Sequence, residues 1–224
     1  MSNPVQAVAS LLSAASMLFS TTADTAAPQN DFDGTLFLVN RQWRISENYV
    51  PETRLVKVYG GQYMRDEAAT AYEEMAAACK KETGEKMIAV SGYRSYAKQK
   101  RLYRNKLSNV GGSEAKADEY VARPGASEHQ TGAAMDVGQS GKATLTKSFH
   151  YTEVGKWLRE NCWRFGFILR YGEDWESVTG YKYESWHVRY VGKECAAQIH
   201  EDPVPFETWL ISYRKQQLAK IMGV

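Results

Sequence analysis

Two short clusters in the second half of the chain contain side chains that could do chemistry together. Residues 127–136 include His129 and Asp136, and residues 184–187 begin with Glu184 and end with His187. Two neutral imidazoles and one carboxylate suit a catalytic zinc ion, which takes three protein ligands and leaves a fourth position for water. A further carboxylate is what such a site needs to accept a proton from that water. These residue types predict a zinc hydrolase.

The spacing of these residues does not by itself bring them together. His129 and Asp136 are separated by a glycine-containing turn into a strand, so neither helical nor strand periodicity forces them into one site. A single histidine in such a segment is more often a structural hydrogen-bonding residue. In a regular strand, Glu184 and His187 would face opposite sides, so a local bend is required if both are to reach one metal ion. The alternative for Glu184 is a surface position before a strand.

Several further blocks carry a resemblance to a known family. The pattern S-x-H-x-x-G-x-A-x-D followed by E-x-W-H resembles that of the VanY-type D-alanyl-D-alanine carboxypeptidases. This family belongs to a wider group of zinc peptidases that includes LD-carboxypeptidases, D-Ala-D-Ala dipeptidases and some phage lysins. The other matching blocks are LVNRQW (38–43), VSGYRS (90–95), ARPGASEH (122–129), FGFILRY (165–171) and WHVRYV (186–191). The resemblance covers residues 36–195, and this series of blocks is far more specific than any one motif.

The resemblance implies roles for the residues of the two clusters. It implies that His129, Asp136 and His187 bind zinc and that Glu184 is the general base. It also implies that Arg94 contacts the substrate or the developing oxyanion. A donor of that kind is worth about 3 to 4 kcal/mol of the reaction barrier.

Four further residues are predicted to face the substrate. Gln99 and Ser127 match family positions that hold the terminal carboxylate of the substrate, and Tyr171 matches a pocket tyrosine. The family commonly has proline after this tyrosine, where this chain has a glycine. Trp186, beside the base and the last ligand, is expected to shield the glutamate from water and raise its affinity for a proton.

The composition limits the classes of protein that the chain can be. Its 224 residues suit one domain with a sizeable core. The 28 lysines and arginines against 26 acidic residues give a net charge of only +2, which argues against the basic surface of a nucleic-acid-binding protein. We expect a monomer whose partner is the substrate peptide, and no feature indicates a membrane or protein partner.

The three cysteines are widely spaced and do not form a C-x-x-C zinc motif. Cys79, Cys162 and Cys195 are predicted to be small buried apolar residues. One disulfide is the alternative if the compartment is oxidising.

The first thirty residues differ from the rest of the chain. Residues 5–20 are moderately apolar and uncharged, and small polar residues follow them. They resemble the apolar core and cleavage region of a secretory signal, without the usual preceding positive charges. The segment is also short for a membrane span, which needs about 20 residues. We expect a leader-like or flexible segment at 1–30, a single zinc peptidase domain at 31–224, and an extracytoplasmic location.

The predicted secondary structure is an irregular mixture of helices and strands. Helices are predicted at 63–83, 96–107, 114–122, 152–163, 193–201 and 205–222, and strands at 35–40, 86–91, 133–137, 167–171 and 186–191. Without the regular alternation of a parallel α/β protein, this order predicts an α+β fold. The resemblance implies a small antiparallel sheet that carries the zinc, flanked by helices.

The resulting functional prediction is a zinc D,D-carboxypeptidase of the bacterial envelope that removes the terminal D-alanine from peptidoglycan stem peptides. The substrate and its stereochemistry come from the resemblance, because zinc and a glutamate indicate only amide hydrolysis. The alternatives are an LD-carboxypeptidase, a lysin-type peptidoglycan endopeptidase and, in another class, a non-catalytic wall-binding module.

Overall fold

The computed structural model describes residues 34–142 and 144–223. The leader-like segment expected at residues 1–30 lies outside the described residues. Within these ranges, no helix is long and apolar enough to cross a membrane.

Six strands and seven helices make up the described part of the chain. The strands are β1 (Leu55–Lys57), β2 (Tyr63–Arg65), β3 (Met87–Ser91), β4 (Ala134–Gln139), β5 (Phe167–Leu169) and β6 (His187–Tyr190). The helices are α1 (Asp66–Thr83), α2 (Tyr96–Asn109), α3 (Glu114–Asp118), α4 (Glu153–Asn161), α5 (Glu176–Thr179), α6 (Lys193–Glu201) and α7 (Phe206–Met222). Three 3-10 turns, Glu128–Thr131, Lys147–Tyr151 and Cys162–Phe165, complete the order.

A four-stranded antiparallel sheet forms the centre of the fold, in the order β3-β4-β6-β5. The first two strands form a separate antiparallel pair. The predicted α+β class with a small antiparallel sheet is confirmed.

The helix α1 covers one face of this sheet. Its first turn carries Asp66 and Glu67 and its last turn carries Lys80 and Lys81, an arrangement that complements the helix dipole. It ends at Gly84, whose φ of 75° is the left-handed conformation that glycine adopts without strain. The buried side chains of α1 join those of the sheet in the main core: Ala68, Tyr72, Met75, Cys79, Met135, Val137, Phe167 and Val188.

The alternation of side chains along the strands separates the core from the predicted site. Met135 and Val137 of β4 and Val188 of β6 belong to the main core. Because successive residues of a strand point to opposite faces, Asp136 and His187 lie on the other side of the sheet. The candidate metal ligands therefore lie on the face of the sheet that is turned away from the main core.

The strand predicted at residues 35–40 was wrong. Leu38 packs in a second core with α6 and α7, whereas Phe37 and Val39 pack in a third with Ile45. The segment ends in a tight turn, in which the side-chain oxygen of Asn40 accepts hydrogen bonds from the two backbone amides at 42 and 43. Its apolar side chains are thus buried in two cores without a neighbouring strand.

The hairpin-like pair β1–β2 was not predicted. Residues 63–65 were assigned to the start of α1, but they pair with residues 55–57 and the helix begins only at Asp66. A three-residue strand is too short to show an alternating pattern in the sequence.

All three cysteines lie in the part of the chain that the structure describes, and none of them forms a disulfide. Cys79 and Cys162 are buried in the main core, as predicted. Cys195 is half-buried against the second core. Burial raises the pKa of the Cys162 thiol to about 12, so this thiol stays protonated and inert at neutral pH.

Candidate metal centre and active site

Strand pairing brings two of the predicted ligands together. The antiparallel register of β4 and β6 places Asp136 directly opposite His187. His129 arrives from the 3-10 turn before β4, which ends at Gly132 in the left-handed conformation with a φ of 72°. A Cβ at Gly132 would lie 3.2 Å from the backbone nitrogen of Arg65. The close approach of β2 and this positive φ both explain why a glycine stands in the motif.

The three side chains form a compact and buried group. Nε2 of His129 lies 3.2 Å from Oδ2 of Asp136, and Nδ1 of His187 lies 2.9 Å from Oδ1. One ligand atom from each residue lies within 4.8 Å of the other two. The two imidazole rings are perpendicular, with their centroids 5.0 Å apart. This donor set and geometry could hold a metal ion.

The outer nitrogen of His129 has a partner that sets its tautomer. Nδ1 of His129 lies 2.9 Å from the carbonyl oxygen of Gly92. Because a carbonyl oxygen can only accept, the proton belongs on Nδ1 and the lone pair is on Nε2, toward Asp136. This second contact orients the ring as metal-binding histidines require.

Glu184 reaches the group because the chain bends before β6. The backbone nitrogen of His187 donates to the carbonyl oxygen of Glu184 at 3.2 Å, which closes a turn between the two residues. The local bend that Glu184 and His187 need in order to face one metal ion is therefore present. Oε2 of Glu184 lies 3.9 Å from Nδ1 of His187, and its side chain remains 29 % exposed.

The environment of Glu184 raises its affinity for a proton. Burial raises its pKa to about 7, and the charge of Asp136 acts in the same direction, against His187 and Arg94. A carboxyl group with a pKa near neutrality can both take up and release a proton at physiological pH. This property suits a general base that later serves as an acid.

Arg94 lies on the Asp136 side of the group. Its Nη2 is 4.0 Å from Oδ2 of Asp136 and donates to Ser91 Oγ at 3.0 Å. Its backbone nitrogen donates to the carbonyl oxygen of His129 at 3.0 Å. The guanidinium is therefore held beside the three ligands and could face negative charge that develops there.

Comparison with known proteins agrees with this geometry. A family model described as VanY, D-alanyl-D-alanine carboxypeptidase, matches residues 61–193. The chain belongs to the VanY family. YodJ of Bacillus subtilis (strain 168) is 41% identical over 192 residues, which cover 82% of this chain and 69% of YodJ.

Solved structures of relatives share the fold. The LD-carboxypeptidase LdcB is 39% identical with a TM-score of 0.71, covering 84% of this chain and 92% of LdcB. A vancomycin resistance D,D-pentapeptidase VanY from a VanB-type cassette, solved with Zn(II), is 34% identical with a TM-score of 0.68, covering 79% and 98%. This VanY-family chain is thus a carboxypeptidase of the metallopeptidase type.

Gln99 is close to the site but is fully buried. Its amide oxygen accepts from Nη1 of Arg94 at 2.7 Å, and its amide nitrogen donates to the carbonyl oxygen of Ala122 at 2.6 Å. Both ends of the amide are therefore engaged within the protein. The predicted contact of Gln99 with the substrate stays a prediction, whereas its support of Arg94 is visible.

The other predicted substrate residues lie in different surroundings. Ser127 is 5% exposed and precedes the turn that carries His129. The ring of Tyr171 lies 4.8 Å from that of His187, at the edge of the metal group. Trp186 packs partly against the main core, on the opposite face of the sheet from the ligands. Its expected shielding of Glu184 stays a prediction.

The departure from the VanY-family proline has a local explanation. A Cβ at Gly172 would lie 2.8 Å from the indole ring of Trp175. Trp175 therefore covers the backbone that follows Tyr171, and a proline ring could not fit there without displacing it.

The sequence analysis did not predict a group of buried charged residues on the Nε2 side of His187. Glu128, Arg170 and Arg189 have side chains that are 0% exposed. Nε of Arg170 lies 2.8 Å and Nη1 of Arg189 lies 3.0 Å from Oε1 of Glu128. Arg170 also forms a two-bond ion pair with Glu207 of α7. The available signal was an arginine inside each of two apolar runs, FILRY and HVRY.

The charge of Glu128 is stabilised inside this group. Burial alone would raise its pKa, but the guanidinium groups of Arg170 and Arg189 hold that pKa well below its usual range. Glu128 is therefore an anion at neutral pH.

A separate cavity of about 350 Å³ lies beside β5 and α6. It contains none of the predicted site residues, but it includes His150 and His200, which have no role in the metal group. Nδ1 of His150 lies 2.6 Å from the hydroxyl of Tyr183, and His200 stacks on Trp163. Both histidines thus contact neighbouring aromatic side chains rather than the metal group.

Proposed function

We propose that this enzyme is a zinc-dependent D,D-carboxypeptidase that hydrolyses the terminal D-Ala-D-Ala amide of peptidoglycan stem peptides. One observation carries the proposal: the carboxylate of Glu184 and the guanidinium of Arg94 flank a buried group of two histidines and one aspartate. Such a site has the ligands, the base and the cation that amide hydrolysis requires.

The donor set fits zinc. His129, Asp136 and His187 would supply two nitrogen ligands and one oxygen ligand, a set typical of a catalytic rather than a structural zinc. The relative solved with Zn(II) supports the choice of metal. When bound, zinc lowers the pKa of a coordinated water and polarises a carbonyl group.

Glu184 is proposed to move the proton. Its carboxylate would take a proton from the attacking water and later deliver it to the amine of the departing D-alanine. Arg94 would stabilise the negative charge that develops on the carbonyl oxygen, from the position in which Gln99 holds it. Glu184 would transfer a positively charged proton, whereas Arg94 would stabilise a negatively charged oxygen, so neither residue could replace the other.

The remaining predicted residues would define the substrate end of the site. Ser127 and Gln99 would hold the terminal carboxylate, and Tyr171 would form a wall of the pocket beside His187. A free terminal carboxylate would then be part of what the enzyme recognises.

An LD-carboxypeptidase is the second candidate. The likeness to LdcB, at 39% identity, supports this alternative, since the same hydrolytic residues serve either stereochemistry. The difference lies in whether the bond cut joins two D-residues in a pentapeptide or an L- and a D-residue in a tetrapeptide.

Mass spectrometry of defined muropeptides separates these functions. We expect the zinc-loaded enzyme to convert pentapeptide to tetrapeptide, with release of one D-alanine, and to leave an amidated pentapeptide intact. Release of D-alanine from the tetrapeptide alone would assign LD-carboxypeptidase activity. Cleavage of an internal cross-link would assign an endopeptidase. Binding to peptidoglycan with no product from any substrate would assign a wall-binding module.

The proposed substrate also bears on where in the cell the enzyme acts. The stem peptides of assembled peptidoglycan lie outside the cytoplasmic membrane, so we propose that the enzyme acts extracytoplasmically. Fractionation of the source cells would test this, with recovery in the cytosol as the contradicting result.

A further inference from the structure

Two buried polar atoms near the metal group face each other. Nε2 of His187 and Oε2 of Glu128 are both buried, and neither has a hydrogen-bond partner within the usual distance among the described residues. They lie 3.6 Å apart. A buried polar atom without a partner is costly, so this pair has a use that the packing alone does not explain.

The other carboxylate oxygen of Glu128, Oε1, is already paired with two arginines. Arg170 and Arg189 both approach Oε1, at 2.8 and 3.0 Å, and their side chains are fully buried. The carboxylate cannot rotate without breaking these ion pairs. Oε2 is therefore fixed toward His187, as an oxygen that can accept a hydrogen bond but carries no proton to donate.

On the opposite side of the same ring, Nδ1 of His187 lies 2.9 Å from Asp136 and faces the metal group. A neutral imidazole has one protonated nitrogen and one lone pair. Which nitrogen carries the proton decides whether the ring can bind a metal through Nδ1.

We infer that Glu128 is a positioning residue of the metal centre, which accepts the Nε2–H of His187 and so keeps the lone pair of Nδ1 toward the metal. The inference rests on the proposed function of the three ligands. It adds to His187 the outer partner that Gly92 provides for His129. Glu128 touches neither the metal nor the substrate.

The variant Glu128→Gln tests this role because the arginines dictate how the amide must lie. Two guanidinium groups at the Oε1 position require an oxygen there, so the NH₂ group of glutamine must face Nε2 of His187. An NH₂ group cannot accept a proton from Nε2–H. The proton is then favoured on Nδ1, where it competes with the metal.

Glu207→Gln is the matched control. It removes one negative charge from Arg170, as Glu128→Gln does, but the carboxylate of Glu207 pairs with Arg170 and Asn40 and not with His187. Stability of the metal-free variants, measured by urea unfolding, shows whether the two substitutions disturb the fold equally.

Zinc affinity, measured by competition with a chromophoric chelator, is the first readout. We expect Glu128→Gln to lower the affinity by on the order of 10- to 100-fold, and Glu207→Gln to change it by less than about threefold. An unchanged affinity in Glu128→Gln, or equal losses in both variants, would overturn the role of Glu128. If His187→Ala keeps the native zinc affinity, the proposed metal site fails as well. If only His187→Ala loses zinc, the site stands without this role for Glu128.

A measurement on the wild-type protein holds even if Glu128→Gln does not fold. Long-range ¹H–¹⁵N correlation spectra of the zinc-loaded enzyme report the state of each imidazole nitrogen. We expect His187 to be protonated at Nε2 and metal-bound at Nδ1. A deprotonated or metal-bound Nε2 would overturn the inference.

Discussion

The side chain of Gln99 holds Arg94 in place: its amide oxygen accepts a hydrogen bond of 2.7 Å from Nη1, while its amide nitrogen is tied to the carbonyl oxygen of Ala122. Both polar atoms of this buried amide are thus engaged, one with a guanidinium and the other with a loop carbonyl. The guanidinium, in contrast, keeps donors that can face the metal group.

This relationship predicts how Arg94 and Gln99 depend on each other. Arg94→Ala should lower turnover by about 100- to 1,000-fold, and Gln99→Met by a smaller factor, with zinc content unchanged in both. If Gln99 acts through Arg94, the double variant should be no slower than Arg94→Ala alone. Steady-state kinetics on a pentapeptide tests this double-mutant cycle. Multiplication of the two single effects would instead indicate an independent contact of Gln99 with the substrate.

Glu184→Gln should lower turnover by at least about 100-fold, because an amide of the same shape cannot accept the proton of water. Zinc occupancy should stay at the native level. The exposed Glu173, in the loop before α5, offers a control of the same residue type, and Glu173→Gln should leave turnover unchanged. A Glu184→Gln enzyme with native turnover would remove the base from the proposal.

Each of the three ligands should be needed for zinc. We expect one zinc per chain by elemental analysis, and strong loss of zinc from His129→Ala, Asp136→Ala and His187→Ala. Chelation should abolish hydrolysis and added zinc should restore it. His150→Ala, in the separate cavity, should keep its zinc. A well-folded native protein without any zinc-binding capacity would contradict the proposed mechanism.

Gly92→Ala should destabilise the fold. A Cβ at this position would lie 2.4 Å from the carbonyl oxygen of Tyr63 and 3.2 Å from the side chain of Met135. Such overpacking costs about 1 to 3 kcal/mol, and the shift would also displace the carbonyl oxygen that orients His129. Urea unfolding of the metal-free protein measures the loss of stability. Equal stability of Gly92→Ala and the native protein would show that β2 can move away.

Much of the fold follows from local patterns in the sequence. The helix at Lys193–Glu201 has the predicted bounds, and β3 begins within one residue of its predicted start. These elements have strong periodicity or a compact apolar run between clear breaks. The segment at 35–40 has a comparable apolar run, yet it forms no strand, because its side chains enter two cores and find no strand to pair with.

The sequence by itself determined the family, the fold class and the kinds of side chain at the candidate site, because these depend on residue types in order along the chain. Only the tertiary structure decided how the residues meet. The register of β4 and β6 sets Asp136 opposite His187, and hydrogen bonding to Gly92 selects the nitrogen of His129 that faces inward. It also revealed Glu128 as a buried anion held by Arg170. Pairing register, burial and ion pairs between distant segments depend on contacts that sequence spacing does not encode.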